Sequence, residues 1–390
     1  MPTDRPHIVI LAKGGNFWAG GRQYTINLLQ SIIEYSSVKR NFDISVITHS
    51  AEELQYYEKF RDRLRVCTWG DDFQARYTLS NRIRWRVKRA FGWRIPRLEE
   101  ALIRIGATFV YPAHLTRIRS ANWIPDFQYD HYPNGSNSTE ISERKQEFSE
   151  IVSRAERIVL SSATAEGDCV RLFPDAQGRT FVLRFRASLD KEVLEKHPGE
   201  ITRLYHLPER FVLTSNLLAP TKNHDVIIEA ISALQEMGDK NLHFVWTGDI
   251  YDYRNPGYYN HILASIAKRG VASRITMLGV IPKKHQIQLL RASAAYLQPS
   301  LFEGWNTGVE EARMLGKKIF LSDIPVHREQ NPPNGSFFDP RNSKELAALL
   351  DGLGAQDVDK LRRQAEENAA LVEYASLQRT FAEDFLSLAL

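Results

Sequence analysis

The chain has 390 residues, of which 43% are hydrophobic and 25% charged, with a formal net charge of +4. At roughly 150 residues per domain this length gives two domains, and the composition excludes collagen-like, disordered and repeat architectures. The only two cysteines, Cys67 and Cys169, are too few for a disulfide scaffold or a thiolate metal cluster and point to a reducing cytosol.

The apolar run His7–Ala12 follows a polar N-terminus. It is too short for a signal-peptide core and is expected to be a buried strand. Without such a signal, the Asn-x-Ser/Thr triplets at Asn134, Asn137 and Asn334 read as chance matches. No stretch approaches the ~18–20 apolar residues that cross a bilayer.

Alternation of short apolar runs with helical patterns predicts strands at His7–Ala12, Asp43–Thr48, Thr108–Tyr111, Arg157–Ser161 and Thr180–Leu183. The intervening helices are expected at Gly21–Tyr35, Ala51–Phe60, Arg82–Phe91, Arg97–Ile105, Thr139–Arg154 and Thr164–Leu172. A polar stretch from Phe185 to Arg210 is expected to be a linker. A second series follows, with strands Phe211–Ser215, Leu242–Trp246, Arg274–Leu278, Ala294–Gln298 and Lys318–Ser322. Its helices are Asn223–Glu236, Tyr258–Lys268, Lys283–Ala292, Gly308–Leu315 and Ser343–Leu353, and Val358–Leu390 reads as one or two further helices. Two such series imply two open α/β sheets, whose ligands bind at the carboxyl ends of the strands.

Phe73–Leu98 carries eight Lys or Arg residues between Arg76 and Arg97, no acidic residue, and the aromatic residues Trp85, Phe91 and Trp93. A basic helix with aromatic residues can rest on an anionic membrane surface or bind nucleic acid, and it can equally be a solvated face.

The strongest local signal is Gln298–Ala312. A strand feeds a loop with glycines at Gly304 and Gly308, and the loop opens a helix in which Thr307 and Glu310 match a capping box. A helix N-terminus offers free N–H groups and a partial positive charge, so a diphosphate fits there. Gly316 is expected to terminate the helix. Glu303 precedes this loop, and Glu311 lies inside the helix, with seven residues between the two.

This E-x7-E arrangement after Pro299-Ser300, with Ser322–Glu329 downstream, resembles the retaining glycosyltransferases of family 4, which have the GT-B fold of two Rossmann-like domains facing across a cleft. The resemblance implies that Glu311 holds the ribose hydroxyls of a nucleotide and that Glu303 lies at the transferred sugar. It assigns the donor loop to Gly304, Trp305, Asn306 and Thr307, a diphosphate contact to Lys222, and the base to backbone groups near Val280 and Ile281. Gly20 and Gly21 match the family's glycine pair beside the phosphates and acceptor.

The family's Arg is absent, since Leu217 occupies its place. Arg184 and Arg186, after the last strand of the first series, are candidate substitute cations. Asp126 and His131, after Trp123-Ile124-Pro125, are candidates for positioning or deprotonating the acceptor hydroxyl.

The domains implied are 1–185 for the acceptor, 186–209 as linker, 210–370 for the nucleotide-sugar, and 371–390 as a helix returning to the first domain. The expected reaction is hexosyl transfer with retention from a nucleotide-diphosphate sugar to a glycan or lipid-linked acceptor, in bacterial surface polysaccharide or lipopolysaccharide assembly. It would need no metal and no further cofactor, because the lone Asp-x-Asp, Asp357–Asp359, does not follow a strand. Localisation is expected in the cytoplasm, with docking on the inner membrane face through Arg76–Arg97 and no nucleic acid partner. Two other readings remain open: another GT-B enzyme, such as a phosphorylase or nucleotide-sugar epimerase, and a binding protein that uses the basic segment.

Overall fold

The computed structural model describes residues 5–16, 18–35, 41–68, 97–133, 138–239, 241–353 and 360–390. The basic segment Arg76–Arg97 and Asp357–Asp359 therefore lie outside the described residues, apart from Arg97 at the start of a helix.

Among the described residues the first sheet holds seven strands: β1 (His7–Leu11), β2 (Asp43–Thr48), β3 (Arg65–Thr68), β4 (Phe109–Tyr111), β5 (Arg119–Ile124), β6 (Arg157–Leu160) and β7 (Thr180–Val182). They pair in parallel in the order β3-β2-β1-β4-β5-β6-β7. The helices covering them are α1 (Ala19–Tyr35), α2 (Arg97–Arg104), the single turn α3 (Gln128–His131), α4 (Ser138–Arg154) and α5 (Ala163–Leu172).

The second sheet holds β8 (Phe211–Ser215), β9 (His243–Thr247), β10 (Ile275–Met277), β11 (Ala295–Gln298), β12 (Ile319–Ser322) and β13 (Gly335–Phe338), also parallel, in the order β10-β9-β8-β11-β12-β13. Two short helices, α6 (Lys191–Glu195) and α7 (Gly199–Leu204), precede it. The remainder are α8 (His224–Glu236), α9 (Tyr258–Arg269), α10 (Lys283–Ala292), α11 (Thr307–Met314), α12 (Pro325–Gln330), α13 (Ser343–Asp351) and α14 (Lys360–Ala389).

Central strands such as β1, β8 and β11 read as near-continuous apolar runs because both faces are covered by helices. Ile8, Val9, Phe211, Val212, Leu213, Ala295 and Leu297 are accordingly inaccessible to solvent. Each sheet reverses its winding once, between β1 and β4 and between β8 and β11. These are the switch points at which open α/β sheets bind ligands.

Several sequence expectations are corrected. Ala51–Phe60 forms 3-10 turns, Ala51–Tyr56 and Glu58–Phe60, in place of an α-helix. β3 and β13 were not expected; both are short edge strands of four residues, too brief to stand out as a pattern. The stretch read as a linker folds into α6 and α7, with Ile201 buried against Ile287 and Leu290 of α10.

The tail is one helix, α14, that leaves the second domain and completes the core of the first. Phe381, Phe385 and Leu386 are buried in the cluster that contains Ile8, Leu28 and Tyr111. The Phe385 ring meets Tyr111 and Phe109 edge-on at centroid distances of 5.3 and 6.3 Å.

Candidate active site

Lys222 is set by the loop after β8. Pro220–Lys222 makes one 3-10 turn, and Asn223 adopts a left-handed conformation with φ 55°. The Asn223 amide donates to the carbonyls of Pro299 and Pro340 at 3.1 and 2.8 Å, which ties this loop to the one after β11. Lys222 Nζ consequently reaches Glu303 Oε1 at 2.6 Å.

Ser300 Oγ and Gln298 Nε2 donate to the same oxygen at 2.7 and 3.1 Å. Burial pushes the Glu303 carboxyl up, but the charge and hydrogen bond of Lys222 and the Ser300 hydroxyl outweigh it. The carboxyl is held below its ordinary value and is ionised at neutral pH. Behind it, Ser322 Oγ donates to the Ser300 carbonyl and bonds His327 Nδ1. Burial pushes His327 down to about 4, so it is neutral, and its Nε2 is buried without a partner among the described residues.

Glu311 is the fifth residue of α11. One oxygen, Oε1, accepts from Lys283 Nζ at 2.5 Å; the other, Oε2, is buried without a hydrogen-bond partner among the described residues. A buried carboxylate oxygen left unpaired is costly and calls for an explanation. Lys283, at the start of α10, was not expected from sequence. Val280 and Ile281 precede it in the loop after β10; Val280 is 76% exposed and Ile281 is half-buried.

The helix cap differs from the expected capping box. Asn306 is the N-cap residue and its side chain accepts from Val309 N at 3.0 Å, while Thr307 is the first helical residue. Glu310 does not fold back on the cap. It is fully buried and accepts from Arg186 (2.9 Å), Gln330 (3.0 Å) and Tyr374 (2.7 Å). Arg186 is thus a buried structural cation and not free to meet a phosphate. Gly316 does end the helix, at φ 64°. At Gly308 a Cβ would stand 2.1 Å from Tyr296 Oη, so only glycine fits there.

The first domain closes over this loop. A Cβ on Gly304 would lie 2.6 Å from Asp126 Cβ and 2.7 Å from the Pro125 carbonyl. Asp126 thereby stands beside Glu303 and Lys222. Burial raises its carboxyl above the usual range, and the Gln128 N–H, Arg144 and Lys222 pull it back only in part. His131 meets the Phe302 ring at a tilt across the cleft, at 4.9 Å, and bonds Asp168 Oδ2 at 2.6 Å, and Tyr132 Oη donates to the Leu301 carbonyl at 3.2 Å.

Trp305 points away from the cleft into the first domain's core, with Nε1 donating to the Phe185 carbonyl at 2.9 Å. Its ring therefore serves interdomain packing and not the donor loop. Arg184 Nε pairs with Glu329 Oε1 at 2.6 Å, and both Glu329 oxygens accept from the Ala163 and Thr164 N–H groups at the start of α5. Gly20 and Gly21 lie in the first turn of α1, against the Trp18 ring.

Of the residues singled out from sequence, Glu303, Lys222, Gly304 and Asp126 are brought together, with His131 beside Phe302. Glu311 lines the same helix. Gln298, Ser300, His327 and Lys283 were missed, because isolated polar residues beside a strand end carry no spacing signal.

Two parallel α/β domains with polar residues at facing switch points define the GT-B fold. Residues 205–372, which span the second domain, match the family model described as glycosyl transferases group 1. The whole chain is similar to solved structures of that fold. Anabaena HepE in complex with UDP and glucose superposes with a TM-score of 0.68 at 15% identity, covering 98% of this chain and 100% of that one. A glycosyltransferase from Rickettsia africae gives 0.66 at 14%, covering 99% and 98%. Sucrose-phosphate synthase from Thermosynechococcus elongatus gives 0.64 at 14%, covering 99% and 100%. No curated protein sequence matches the chain.

Proposed function

We propose that this protein is a retaining glycosyltransferase that moves a hexosyl group from a nucleotide-diphosphate sugar to a glycan or lipid-linked acceptor, in assembly of a bacterial surface polysaccharide. One observation carries the donor site: Glu311 Oε2 is buried without a partner among the described residues, on the helix whose first turn follows Glu303 and Gly304. A ribose hydroxyl is the donor this oxygen lacks. The match of residues 205–372 to glycosyl transferases group 1 and the likeness to a fold-mate solved with UDP and glucose support the same reading.

In this reading the diphosphate lies between Lys222 and the N–H groups that open α11. Lys222 leaves Glu303 in part to meet the leaving phosphate as its charge develops. Ionised Glu303 accepts sugar hydroxyls and supports positive charge at the anomeric carbon. Asp126 and His131 face the acceptor side, where one of them receives its proton. The acceptor attacks from the face that the diphosphate leaves, so configuration is kept. Charge is met by protein groups alone, so the reaction is proposed to run without a divalent cation and to tolerate EDTA. Among the described residues no helix is long and apolar enough to cross a membrane. We further propose that the enzyme works at the cytoplasmic membrane face, held by the basic segment Arg76–Arg97.

The test is thermal stability against UDP, GDP, ADP, TDP and CMP, followed by NMR of the product formed from the matching donor sugar. A ligand at ~100 times its dissociation constant adds about 2.7 kcal/mol of stability. A shift with one diphosphate, absent in Glu311→Ala, and a product of unchanged anomeric configuration are the expected results. No shift with any nucleotide in a folded sample, or an inverted product, would overturn the reading.

A further inference from the structure

Three contacts join the loop after β5 to the loop after β11. Tyr132 Oη donates to the Leu301 carbonyl at 3.2 Å, the His131 ring lies 4.9 Å from that of Phe302, and Asp126 abuts Gly304, where a Cβ would come within 2.6 Å of it. Glu303 stands between Phe302 and Gly304, so each of its chain neighbours is met by one of the two acid–base candidates. The His131 side chain is 37% exposed, which leaves part of the ring open to an arriving molecule.

The ring is held from behind by a charged relay. His131 Nε2 bonds Asp168 Oδ2 at 2.6 Å, while Nδ1 makes no hydrogen bond among the described residues. Asp168 is buried on α5, and its second oxygen is also taken. Arg171 Nη2 donates to Asp168 Oδ1 and to Asp130 Oδ2, both at 2.7 Å. A carboxylate can only accept, so it draws the proton of the neutral imidazole to Nε2 and leaves Nδ1 with its lone pair. Arg171 ties Asp130, which directly precedes His131, to the same carboxylate, so the single turn α3 is fixed to α5 at two successive residues.

We propose that Asp168, held by Arg171, is the positioning residue that makes His131 Nδ1 the proton acceptor for the attacking hydroxyl. This rests on the glycosyltransferase reading for the reaction, though not for the state of the ring. The O–H bond of the acceptor breaks as its hydrogen bonds to Nδ1. The oxygen's electron pair joins the anomeric carbon while the bond from that carbon to the diphosphate oxygen breaks, and the diphosphate leaves with that pair. Asp168 stabilises the imidazolium so formed, which then gives its proton to the departing diphosphate or to water.

Proton–nitrogen correlation NMR of the histidine rings tests the first half, with His131 identified by the signal lost in His131→Gln. The neutral ring is expected to carry its proton on Nε2 in the native protein. Asp168→Asn tests the second half. Arg171 can only donate, so it claims the amide oxygen and turns the amide N–H groups toward His131 Nε2, which moves the ring proton to Nδ1. Turnover is read as nucleoside diphosphate released from UDP-glucose, GDP-mannose or ADP-glucose, with water as the acceptor. In Asp168→Asn kcat should fall about 100-fold or more, with donor KM and melting temperature kept. Adding Arg171→Met frees the amide to turn, so the Nε2 proton should return and kcat recover about tenfold. A tie between α3 and α5 that served structure alone would survive in Asp168→Asn and weaken further in the double variant.

A proton on Nδ1 in the native ring would overturn the proposal, and that result needs no variant to fold. So would an unchanged kcat in Asp168→Asn, or a double variant no faster than the single one. Absence of turnover in the native protein would remove the catalytic role and leave Asp168 as a tie between two helices. The melting shift with nucleotide then tells whether the donor reading falls with it: a shift keeps the donor site, and none sinks it.

Discussion

Lys283 Nζ lies 2.5 Å from Glu311 Oε1, while Glu311 Oε2 has no partner among the described residues although the side chain is 1% exposed. In the proposed donor site this carboxylate accepts the ribose hydroxyls. Glu311→Gln keeps the shape and removes the charge. A hydrogen bond to a charged group is worth about 1.5–3 kcal/mol, so nucleotide affinity should fall roughly 10–100-fold. Calorimetric titration of the nucleotide checks this, and an unchanged dissociation constant would place the ribose elsewhere.

Lys222 and Glu303 should behave as a unit. Removing one partner leaves the other as an uncompensated charge with little access to water: the side chains are 23% and 10% exposed. Lys222→Met should therefore cost about 3–5 kcal/mol of stability, whereas the double variant Lys222→Met/Glu303→Gln should cost much less. Denaturant unfolding of the two single variants and the double gives the coupling directly, and additive costs would contradict it.

The second domain should weaken in mild acid. In the unfolded chain histidine takes its proton near 6.5, but burial lowers His327 to about 4 and His224 to about 3. The unfolded state thus binds protons first as pH falls. The stability held by these neutral rings is complete above pH 6.5 and is lost progressively down to about 4 for His327 and about 3 for His224, at up to about 1.4 kcal/mol per pH unit each. Denaturant midpoints between pH 7.5 and 4.5 should show the decline, and His327→Asn should make it shallower.

Glu329 should act as a clasp between domains. Its carboxylate, carried on α12, accepts from two N–H groups that open α5 and from Arg184. Glu329→Ala should open the cleft, seen as a larger radius of gyration in X-ray scattering and partly reversed by bound nucleotide. An identical scattering curve would show that the contacts of Gly304 and Tyr132 suffice for closure.

Phe385→Ala should destabilise the first domain, not the second from which its helix departs. The ring is fully buried against Tyr111 and Phe109, so about 3–5 kcal/mol is expected. Thermal unfolding followed at Trp123 should report the loss, and the nucleotide-induced shift should persist.

The two-sheet plan was legible because central parallel strands such as Phe211–Ser215 are uniformly apolar and the helices between them are long. The loop that carries Glu303 and the helix that carries Glu311 were legible because a strand, a glycine loop and a helix start follow one another in sequence, whereas Lys222 stood out only through the family resemblance. Arg186 was misread for the opposite reason. A basic residue past a strand looks like an anion site until the fold brings Glu310, over a hundred positions away, against it. Trp305 was assigned to the donor loop by its neighbours, yet backbone direction turned its ring into the other domain. Thr307 lost the cap to Asn306 by one residue, a margin at which propensity does not discriminate.

The return of α14 has a consequence for how the protein is made. Strands β1 to β7 leave the ribosome as a contiguous block, but Phe381, Phe385 and Leu386, which fill the space against Leu28 and Tyr111, are translated only after the entire second domain. At 5–20 residues per second, the roughly two hundred residues in between take tens of seconds. Through that interval the nascent first domain holds an open apolar seam, while the second domain can already close its own core. The later-made half is thus positioned to mature first, and the earlier-made half stays a client for chaperones until its final helix arrives.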